Sequence, residues 1–279
     1  MNTWLVKWHV PILGDIAIST YFACLVLGLV LALHVCVREA KRSGEDPLLF
    51  FRLGLIGIGC GLIGGRLGHV LLARPDIYLE NPVRVLEFWR GGMVFYGGAI
   101  GGAIGVLLAC RRYKVNLLRA CDICAAPLML GLALGRLGCL SAGCCFGRPI
   151  DWPWGIEWPW AVTFLSGQVP SPLRGIPLHP TQAYAAFNAL ALFVLLIEVR
   201  RRQRYAGQVT GVLLVAYGLS RSIIELFRLD LERGFVFEQW LGQVLSTSQA
   251  VSIPMVLAGI VLLVRGSRTH DSDRPSSPN

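Results

Sequence analysis

Long apolar runs recur along the chain and are separated by short polar segments. Each run is long enough to cross about 30 Å of hydrocarbon as a helix, because an α-helix rises about 1.5 Å per residue. The pattern predicts seven membrane-spanning helices: residues 16–37, 48–72, 93–110, 117–140, 181–199, 209–227 and 244–264. No run of strand-like alternation competes with them, so the predicted fold class is an all-α, polytopic integral membrane protein.

Composition points to the same class. Hydrophobic residues make up 54% of the 279 positions and charged residues 15%, which is too apolar for a water-soluble domain of this size. The formal net charge of +9 is also typical of nucleic-acid-binding proteins. Here, however, the basic residues stand in short clusters between the apolar runs. That placement excludes a nucleic-acid partner and favours the cytoplasmic loops of a membrane protein.

The basic residues divide unevenly between the two sets of loops. One set carries 15 lysines and arginines and the other carries 8. Since cytoplasmic loops are the more basic, we expect the amino terminus outside the membrane and the carboxyl terminus in the cytoplasm. The amino end lacks the pattern of a cleavable signal, so the first span is expected to remain as an anchor.

The longest extracytoplasmic connection covers residues 141–180 and contains four tryptophans interleaved with prolines between residues 152 and 160. Aromatic rings favour the headgroup zone, and proline opposes a continuous helix. We predict a small cap at the membrane interface, although an ordinary aromatic belt also fits. Residues 1–266 are then one transmembrane domain, and the polar segment 267–279 is a disordered cytoplasmic tail.

Charged residues inside apolar spans are costly and therefore informative. Three arginines and one acid lie there: Arg66, Arg136, Arg221 and Glu225. Arg221 and Glu225 fall on one helix face with Tyr217 and Arg228, because residues three and four apart are neighbours. The pair could serve only to fix helix packing. Three cations and one acid do not balance, however, and an anionic ligand such as a lipid phosphate would supply the missing charge.

Glycines crowd the second and third predicted spans, over residues 54–68 and 91–105. Most of them fit close helix packing in lipid. The glycine pairs that flank residues 93–96, including Gly97 and Gly98, would also expose backbone amides at a helix start. Such amides bind anions.

Five of the nine cysteines form two groups near the two ends of one predicted span, residues 117–140. Cys121 and Cys124 lie near its cytoplasmic end, and Cys139, Cys144 and Cys145 lie at the other end. Eighteen helical residues separate Cys121 from Cys139, about 27 Å, so one four-sulfur metal site cannot include both groups. Cys139 could form a disulfide with Cys144 or Cys145, and a thiol-redox membrane protein remains an alternative of a different class.

Six motifs together resemble the bacterial prolipoprotein diacylglyceryl transferase family. They are Tyr21, GGRLGHVL at 64–71, ENPVRVLEFWRGGMVFYGGAIG at 80–101, GRLGCLSAGCCFG at 135–147, HPTQAY at 179–184 and YGLSRSIIELFR at 217–228. Each motif alone is weak, but the six occur in the family's order along most of the chain.

The resemblance implies a transfer reaction in the bacterial cytoplasmic (inner) membrane. The sn-1,2-diacylglyceryl group of phosphatidylglycerol moves to the lipobox cysteine thiol in a prolipoprotein signal peptide, a thioether forms, and glycerol phosphate leaves. The expected partners are phosphatidylglycerol, the prolipoprotein and membrane lipid. No metal and no other cofactor is expected.

The resemblance also implies the site residues. Arg136 and Arg221 match the family's phosphate-handling arginines, and Tyr96 stands where the family has histidine. These three are the expected catalytic residues, although a phenol is a poor base unless cations lower its pKa. The expected substrate-binding residues are Tyr21, Arg66, Gly97, Gly98, Gly147, Gln182, Tyr217, Glu225 and Arg228.

The chain departs from the family pattern around this framework. Cys139, Ala142 and Cys144 stand where two asparagines and a glutamate are usual, and Ala185 replaces a glutamate. Two hypotheses follow: a divergent transferase that uses Tyr96 or water as the base, or a paralogue that uses the same phospholipid pocket for another acceptor. A non-catalytic lipid-binding protein is a third. We favour the transferase because the charged residues are retained.

Overall fold

A computed structural model describes residues 4–10, 14–73, 75–86, 92–150, 161–165, 169–229 and 246–272. Within these ranges the helices are α1 Thr20–Arg42, α2 Pro47–Gly68, α3 Pro75–Glu80, α4 Phe95–Tyr113, α5 Leu117–Ala142, α6 Thr181–Arg201, α7 Gln208–Glu225 and α8 Thr247–Ser272. A π-helical turn, His69–Ala73, extends α2. The chain is therefore mostly helical, as the apolar runs predict.

Five described segments are long and apolar enough to cross a membrane: Thr20–Arg42, Pro47–Leu72, Leu117–Ala142, Thr181–Arg201 and Ser248–Ser267. Two further helices, α4 and α7, lie where the remaining spans are predicted. Charged residues lower their hydropathy, since α4 ends with Arg111 and Arg112 and α7 contains Arg221 and Glu225. A helical membrane protein is thus confirmed, and the count of seven spans stays a prediction.

The expectation of a chain without strands is wrong at two places. Strand β1, Trp4–Val10, pairs antiparallel with β2, Gly14–Ser19, and β3, Val162–Thr163, pairs with β4, Pro177–Leu178. Aromatic and β-branched residues such as those of β1 favour strands. Because β2 occupies residues 14–19, helix α1 begins at Thr20 rather than at residue 16.

The chain divides into two compact units, and the single transmembrane domain expected from the sequence stays a prediction. The first unit comprises Met1–Ala32 and Cys124–Asn279, and the second comprises Leu33–Ile123. In the second unit, glycines let α2 and α4 approach closely: a Cβ on Gly64 would lie 2.9 Å from the Gly101 Cα and closer still to the Gly97 carbonyl oxygen. Small residues at a helix contact allow this approach.

The first unit packs α5, α6 and α7 around one apolar cluster. Its buried members are Ala125, Ala126, Met129, Leu192, Leu196, Val209 and Leu213. Helix α8 packs on α7 through glycine, since a Cβ on Gly211 would lie 3.2 Å from the Gly259 carbonyl oxygen. This packing fixes the relative positions of the polar residues on α5, α6 and α7.

Only part of the predicted cap, residues 141–180, is described. It contains the β3–β4 pair, a 3₁₀ turn at Ser171–Leu173, and a small buried cluster of Phe164, Val169 and Leu178. The four tryptophans fall in residues 151–160, outside the described residues. At the other end, α8 continues to Ser272, beyond the predicted start of a disordered tail at residue 267, and residues 273–279 lie outside the described part.

Candidate active site

Three arginines of the first unit line one pocket. Arg136 comes from α5, Arg221 from α7, and Arg228 from the turn that follows α7. The remaining lining residues are Leu132, Ala185, Asn188, Tyr217 and Ile224. The described lining therefore carries three positive charges on an otherwise apolar or neutral wall. Sequence motifs more than 80 residues apart meet here, as the resemblance implied for Arg136, Arg221, Tyr217 and Arg228.

The geometry of α7 holds Arg221 in a fixed position. Its Nη1 lies 2.6 Å from Glu225 Oε2, one helical turn further along, and its Nη2 donates to Ser248 Oγ on α8 at 2.9 Å. The side chains of Arg221 and Glu225 are 11% and 9% exposed. Glu225 thus orients Arg221 and offsets one positive charge of the pocket.

Arg228 is anchored where α7 ends. Its side chain is buried, and its residue forms a β-bridge with Gly147. The Arg148 Nε also donates to the Arg228 carbonyl oxygen at 3.3 Å. The turn after α7 is therefore joined to the segment after α5, which brings Arg228 to the same pocket as Arg136.

Gly147 stands at the closest point of this junction. Its N–H donates to the His179 carbonyl oxygen at 2.9 Å, and a Cβ at this position would lie 2.6 Å from that oxygen and 2.6 Å from the Phe227 carbonyl oxygen. No larger side chain fits without moving backbone. These contacts close the loop after α5, and the substrate-binding role expected for Gly147 stays a prediction.

Three cysteines converge beside this junction. The Sγ atoms of Cys139, Cys144 and Cys145 lie within 4.8 Å of one another, and all three cysteines are free. The disulfide that the sequence allows between Cys139 and Cys144 or Cys145 is therefore not formed in this structure. Hydrogen bonds from Cys139 and Cys144 lower the pKa of the Cys145 thiol, and the charges of Arg228 and Arg136 act in the same direction against the effect of burial. The same thiol–thiol hydrogen bonds raise the pKa of Cys144.

Gln182, expected among the substrate-binding residues, does not line the pocket. Its side chain is fully buried, and its Nε2 donates to the Cys144 carbonyl oxygen at 2.7 Å. Thr181 donates in parallel from Oγ1 to the Cys145 carbonyl oxygen at 2.8 Å. The start of α6 therefore supports the cysteine-bearing loop rather than the pocket itself.

Tyr21 lies near Arg136 but does not line the pocket. It is the second residue of α1, and its ring and carbonyl oxygen approach Gly138 of α5, where a Cβ would lie 3.1 Å from that oxygen. Its phenol is close enough to Arg136 and to the three thiols for electrostatic interaction. A headgroup contact for Tyr21 stays a prediction.

Arg66 serves a different purpose in the second unit. Its Nε donates to the Val85 carbonyl oxygen and its Nη1 to the Gly92 carbonyl oxygen, both at 3.1 Å, and its Nη2 donates to the Arg84 carbonyl oxygen. The guanidinium also stacks over Tyr78, 5.3 Å from the ring centre. These contacts organise the segment that precedes α4, and the substrate-binding role predicted for Arg66 finds no support in them.

The other expected residues of the second unit lie on α4. Tyr96 is the second residue of this helix, and its ring packs edge-on against Phe95. Gly97 and Gly98 face α2, since Cβ atoms there would meet the carbonyl oxygens of Gly64 and Gly61. The two glycines thus serve helix packing, and a catalytic role of Tyr96 with the arginines stays a prediction.

Sequence reasoning missed two polar residues of the site. Asn188 lines the pocket from α6 and donates from Nδ2 to Ser220 Oγ at 3.0 Å. Ser248 is the buried partner of Arg221. An asparagine in the middle of an apolar span carries the same signal as an arginine there, because both must find a partner in lipid.

Fold and pocket together define a class: a polytopic helical membrane protein with a buried, arginine-lined pocket. Arginine binds phosphate through its planar, forked N–H groups, and it does so most strongly where water is scarce. The charge of the pocket lining is therefore complementary to an anionic group such as a phosphodiester.

Comparisons with known proteins give the family. The sequence profile of the prolipoprotein diacylglyceryl transferases matches residues 8–265. A phosphatidylglycerol–prolipoprotein diacylglyceryl transferase of Nitrosomonas europaea is 39% identical over 80% of this chain and 73% of its own. Proteins of the same name are 35% identical in Nitrosospira multiformis, over 92% of this chain and 86% of theirs, and 34% identical in Geobacter sulfurreducens, over 92% and 94%. The chain belongs to the prolipoprotein diacylglyceryl transferase family and is a membrane transferase.

Proposed function

We propose that this chain transfers the sn-1,2-diacylglyceryl group of phosphatidylglycerol to the lipobox cysteine thiol of prolipoproteins at the arginine-lined pocket of the first unit. The observation that carries the assignment of the site is the meeting of Arg136, Arg221 and Arg228 in one pocket. The three arginines carry three positive charges, and the Glu225 carboxylate paired with Arg221 carries one negative charge. This set matches the phosphodiester of the substrate, which has one negative charge and gains a second when the phosphate leaves.

The reaction exchanges one bond for another at a glyceryl carbon. The substrate thiol loses its proton, and the thiolate attacks the glyceryl carbon that carries the phosphodiester oxygen. The S–C bond forms as the C–O bond breaks, and glycerol phosphate departs with the electron pair. Negative charge therefore grows on the phosphate in the transition state, which is where fixed guanidinium groups stabilise it most.

The proposal assigns a role to each polar residue of the pocket. Arg136 and Arg221 bind and stabilise the leaving phosphate, and Arg228 adds a third donor. Glu225 and Ser248 hold Arg221 in place before substrate arrives, so little reorganisation is needed in the transition state. Tyr217 and Asn188 supply hydrogen bonds to the glycerol headgroup.

The proton acceptor belongs to the same proposal. Tyr96 stands at the family's histidine position and takes the thiol proton directly or through water, as the resemblance implies. Because the thiolate is the nucleophile, transfer should be faster in mildly alkaline solution, where more of the substrate thiol is ionised.

The membrane setting completes the proposal. The seven long helices among the described residues all cross the bacterial inner membrane, with the amino terminus outside and the carboxyl terminus in the cytoplasm. The distribution of basic residues, 15 against 8 between the two sets of loops, supports this orientation. The pocket then receives phosphatidylglycerol from the membrane and the lipobox of a signal peptide at its outer face.

A reconstituted transfer assay tests the function. Purified protein in detergent with phosphatidylglycerol and a lipobox peptide should yield thioether lipopeptide and glycerol phosphate in equal amounts. Arg136→Ala should abolish both products, and Arg201→Ala, which removes a mostly exposed arginine at the end of α6, should not. Product formation by Arg136→Ala would refute the site. A folded wild-type protein that binds phosphatidylglycerol without turnover would point to another acceptor.

A further inference from the structure

The three thiols beside the pocket have the spacing of a metal site. Their Sγ atoms all lie within 4.8 Å of one another. In a tetrahedral thiolate site the Zn–S distance is about 2.3 Å, which places the sulfur atoms about 3.8 Å apart. Side-chain rotations alone could close the difference. The Cys144 thiol already points back toward the end of α5, since it donates to the Cys139 carbonyl oxygen at 3.6 Å.

The backbone that carries these thiols is fixed independently of them. Gln182 and Thr181, both fully buried, hold the carbonyl oxygens of Cys144 and Cys145. Gly143 and Cys145 adopt left-handed backbone conformations, with φ of 66° and 60°. A residue with a Cβ is uncommon at positive φ. The loop therefore turns back on α5 in a way that presents all three thiols to one point, as a preorganised ligand set requires.

The surroundings favour negative charge at this point. Arg136 and Arg228 are close enough to act electrostatically on the Cys145 thiol. Three thiolates around a monovalent ion leave two negative charges, and around a divalent ion they leave one. The two neighbouring guanidinium groups lie close enough to stabilise this excess, so the complex is not buried away from every cation.

We propose that Cys139, Cys144 and Cys145 bind one thiophilic d¹⁰ metal ion, Cu⁺ or Zn²⁺, which fastens the loop after α5 to the end of that helix. Thiolates prefer such soft ions. Three ligands complete a trigonal Cu⁺ site, whereas Zn²⁺ would take a fourth ligand such as water. The metal is structural: it fixes the loop that leads to Gly147 and Arg148, and it takes no part in the transfer reaction. This proposal departs from the sequence expectation of a chain without metal, and it does not rest on the proposed function.

Metal titration of the full-length reduced protein in detergent tests the site. With Zn²⁺ in one arm and Cu⁺ in the other, competed by chelators of known affinity, we expect about one tightly bound ion per chain. Cys139→Ser, Cys144→Ser and Cys145→Ser should each weaken binding about 100-fold or more, since even loss of a group that only orients a metal ligand costs 10- to 100-fold. Cys121→Ser is the matched control, because Cys121 lies at the other end of the same helix, and it should bind as wild type.

A second measurement covers variants that fail to fold. Mass spectrometry of the alkylated wild-type protein should show that added metal protects residues 139, 144 and 145 from a maleimide but leaves Cys121 labelling unchanged. The metal, Zn²⁺ or Cu⁺, whose addition protects these three cysteines from alkylation is the ion that the site binds. Equal alkylation with and without either metal would overturn the proposal. So would a disulfide between two of the three cysteines in protein isolated without reductant, if that protein binds no metal after reduction.

Discussion

Both units of the molecule contain buried arginines, but the groups that these arginines contact differ between the units. In the second unit, Arg66 directs its N–H groups at three backbone carbonyl oxygens and stacks on an aromatic ring. In the first unit, Arg221 is held by Glu225 and Ser248 but still lines a pocket with two other arginines. A buried arginine therefore indicates a ligand only when its fixed partners leave the guanidinium facing open space.

The largest expected effect is on catalysis in the first unit. Arg221→Ala should lower the transfer rate about 1000-fold, because the leaving phosphate loses a fixed donor and Glu225 remains as an unpaired negative charge beside it. Single-turnover assays on gel-filtered protein measure this rate. Arg221→Lys keeps the positive charge but loses the planar, forked set of N–H donors. Its transfer rate should therefore lie between the rates of wild type and Arg221→Ala. An Arg221→Ala rate close to that of wild type would place the phosphate elsewhere.

The equivalent change in the second unit should act on stability. Arg66→Ala removes hydrogen bonds to three carbonyl oxygens, and we expect the free energy of unfolding to fall by about 3 kcal/mol. The thermal midpoint in detergent, followed by tryptophan fluorescence, measures the loss. Arg52→Ala, on the exposed face of the same helix, is the control and should leave the midpoint unchanged. Equal midpoints for the two variants would show that the carbonyl contacts of Arg66 contribute nothing.

A glycine substitution sharpens the contrast within the second unit. Gly64→Ala would force α2 away from α4, since its Cβ would lie 2.9 Å from the Gly101 Cα, and should cost about 2 kcal/mol. Gly59→Ala, also on α2, meets nothing within 4 Å and should be neutral or slightly stabilising. The thermal midpoints of the two variants measure the difference. If both variants melt together, the close helix contact is not formed in solution.

The smallest expected effect is a loss of stability at acidic pH, which we ascribe to His179 at the junction with Gly147 in the first unit. Burial, and next the charge of Arg148, lower the pKa of His179. The unfolded chain then binds the proton more readily, so stability should fall as the pH drops below about 6.5. His179→Gln should flatten this part of the curve of thermal midpoint against pH. A wild-type curve with the same slope as the variant would assign the acid sensitivity to other groups.

Sequence predicted the helices well because lipid leaves few alternatives for an apolar run. It also predicted the alignment of Tyr217, Arg221 and Glu225, which depends only on helical spacing. The β1–β2 pair was missed, since β1 and the first residues of β2 precede the first apolar run and the end of β2 was taken as part of that run.

The partners of buried polar residues were harder to predict. The carbonyl oxygens bound by Arg66 belong to a segment about 20 residues away, and Gln182 binds one 38 residues away. No local spacing encodes such contacts. The same limit applies to Asn188, whose place in the pocket depends on how three helices pack.

The central claim is that the phospholipid headgroup binds at the arginine pocket of the first unit, and photolabelling tests it directly. A phosphatidylglycerol analogue with a photoreactive headgroup should label peptides around Arg136 and residues 217–228, and excess phosphatidylglycerol should suppress that labelling. Labelling concentrated between residues 66 and 98, or labelling that phosphatidylglycerol does not suppress, would contradict the claim.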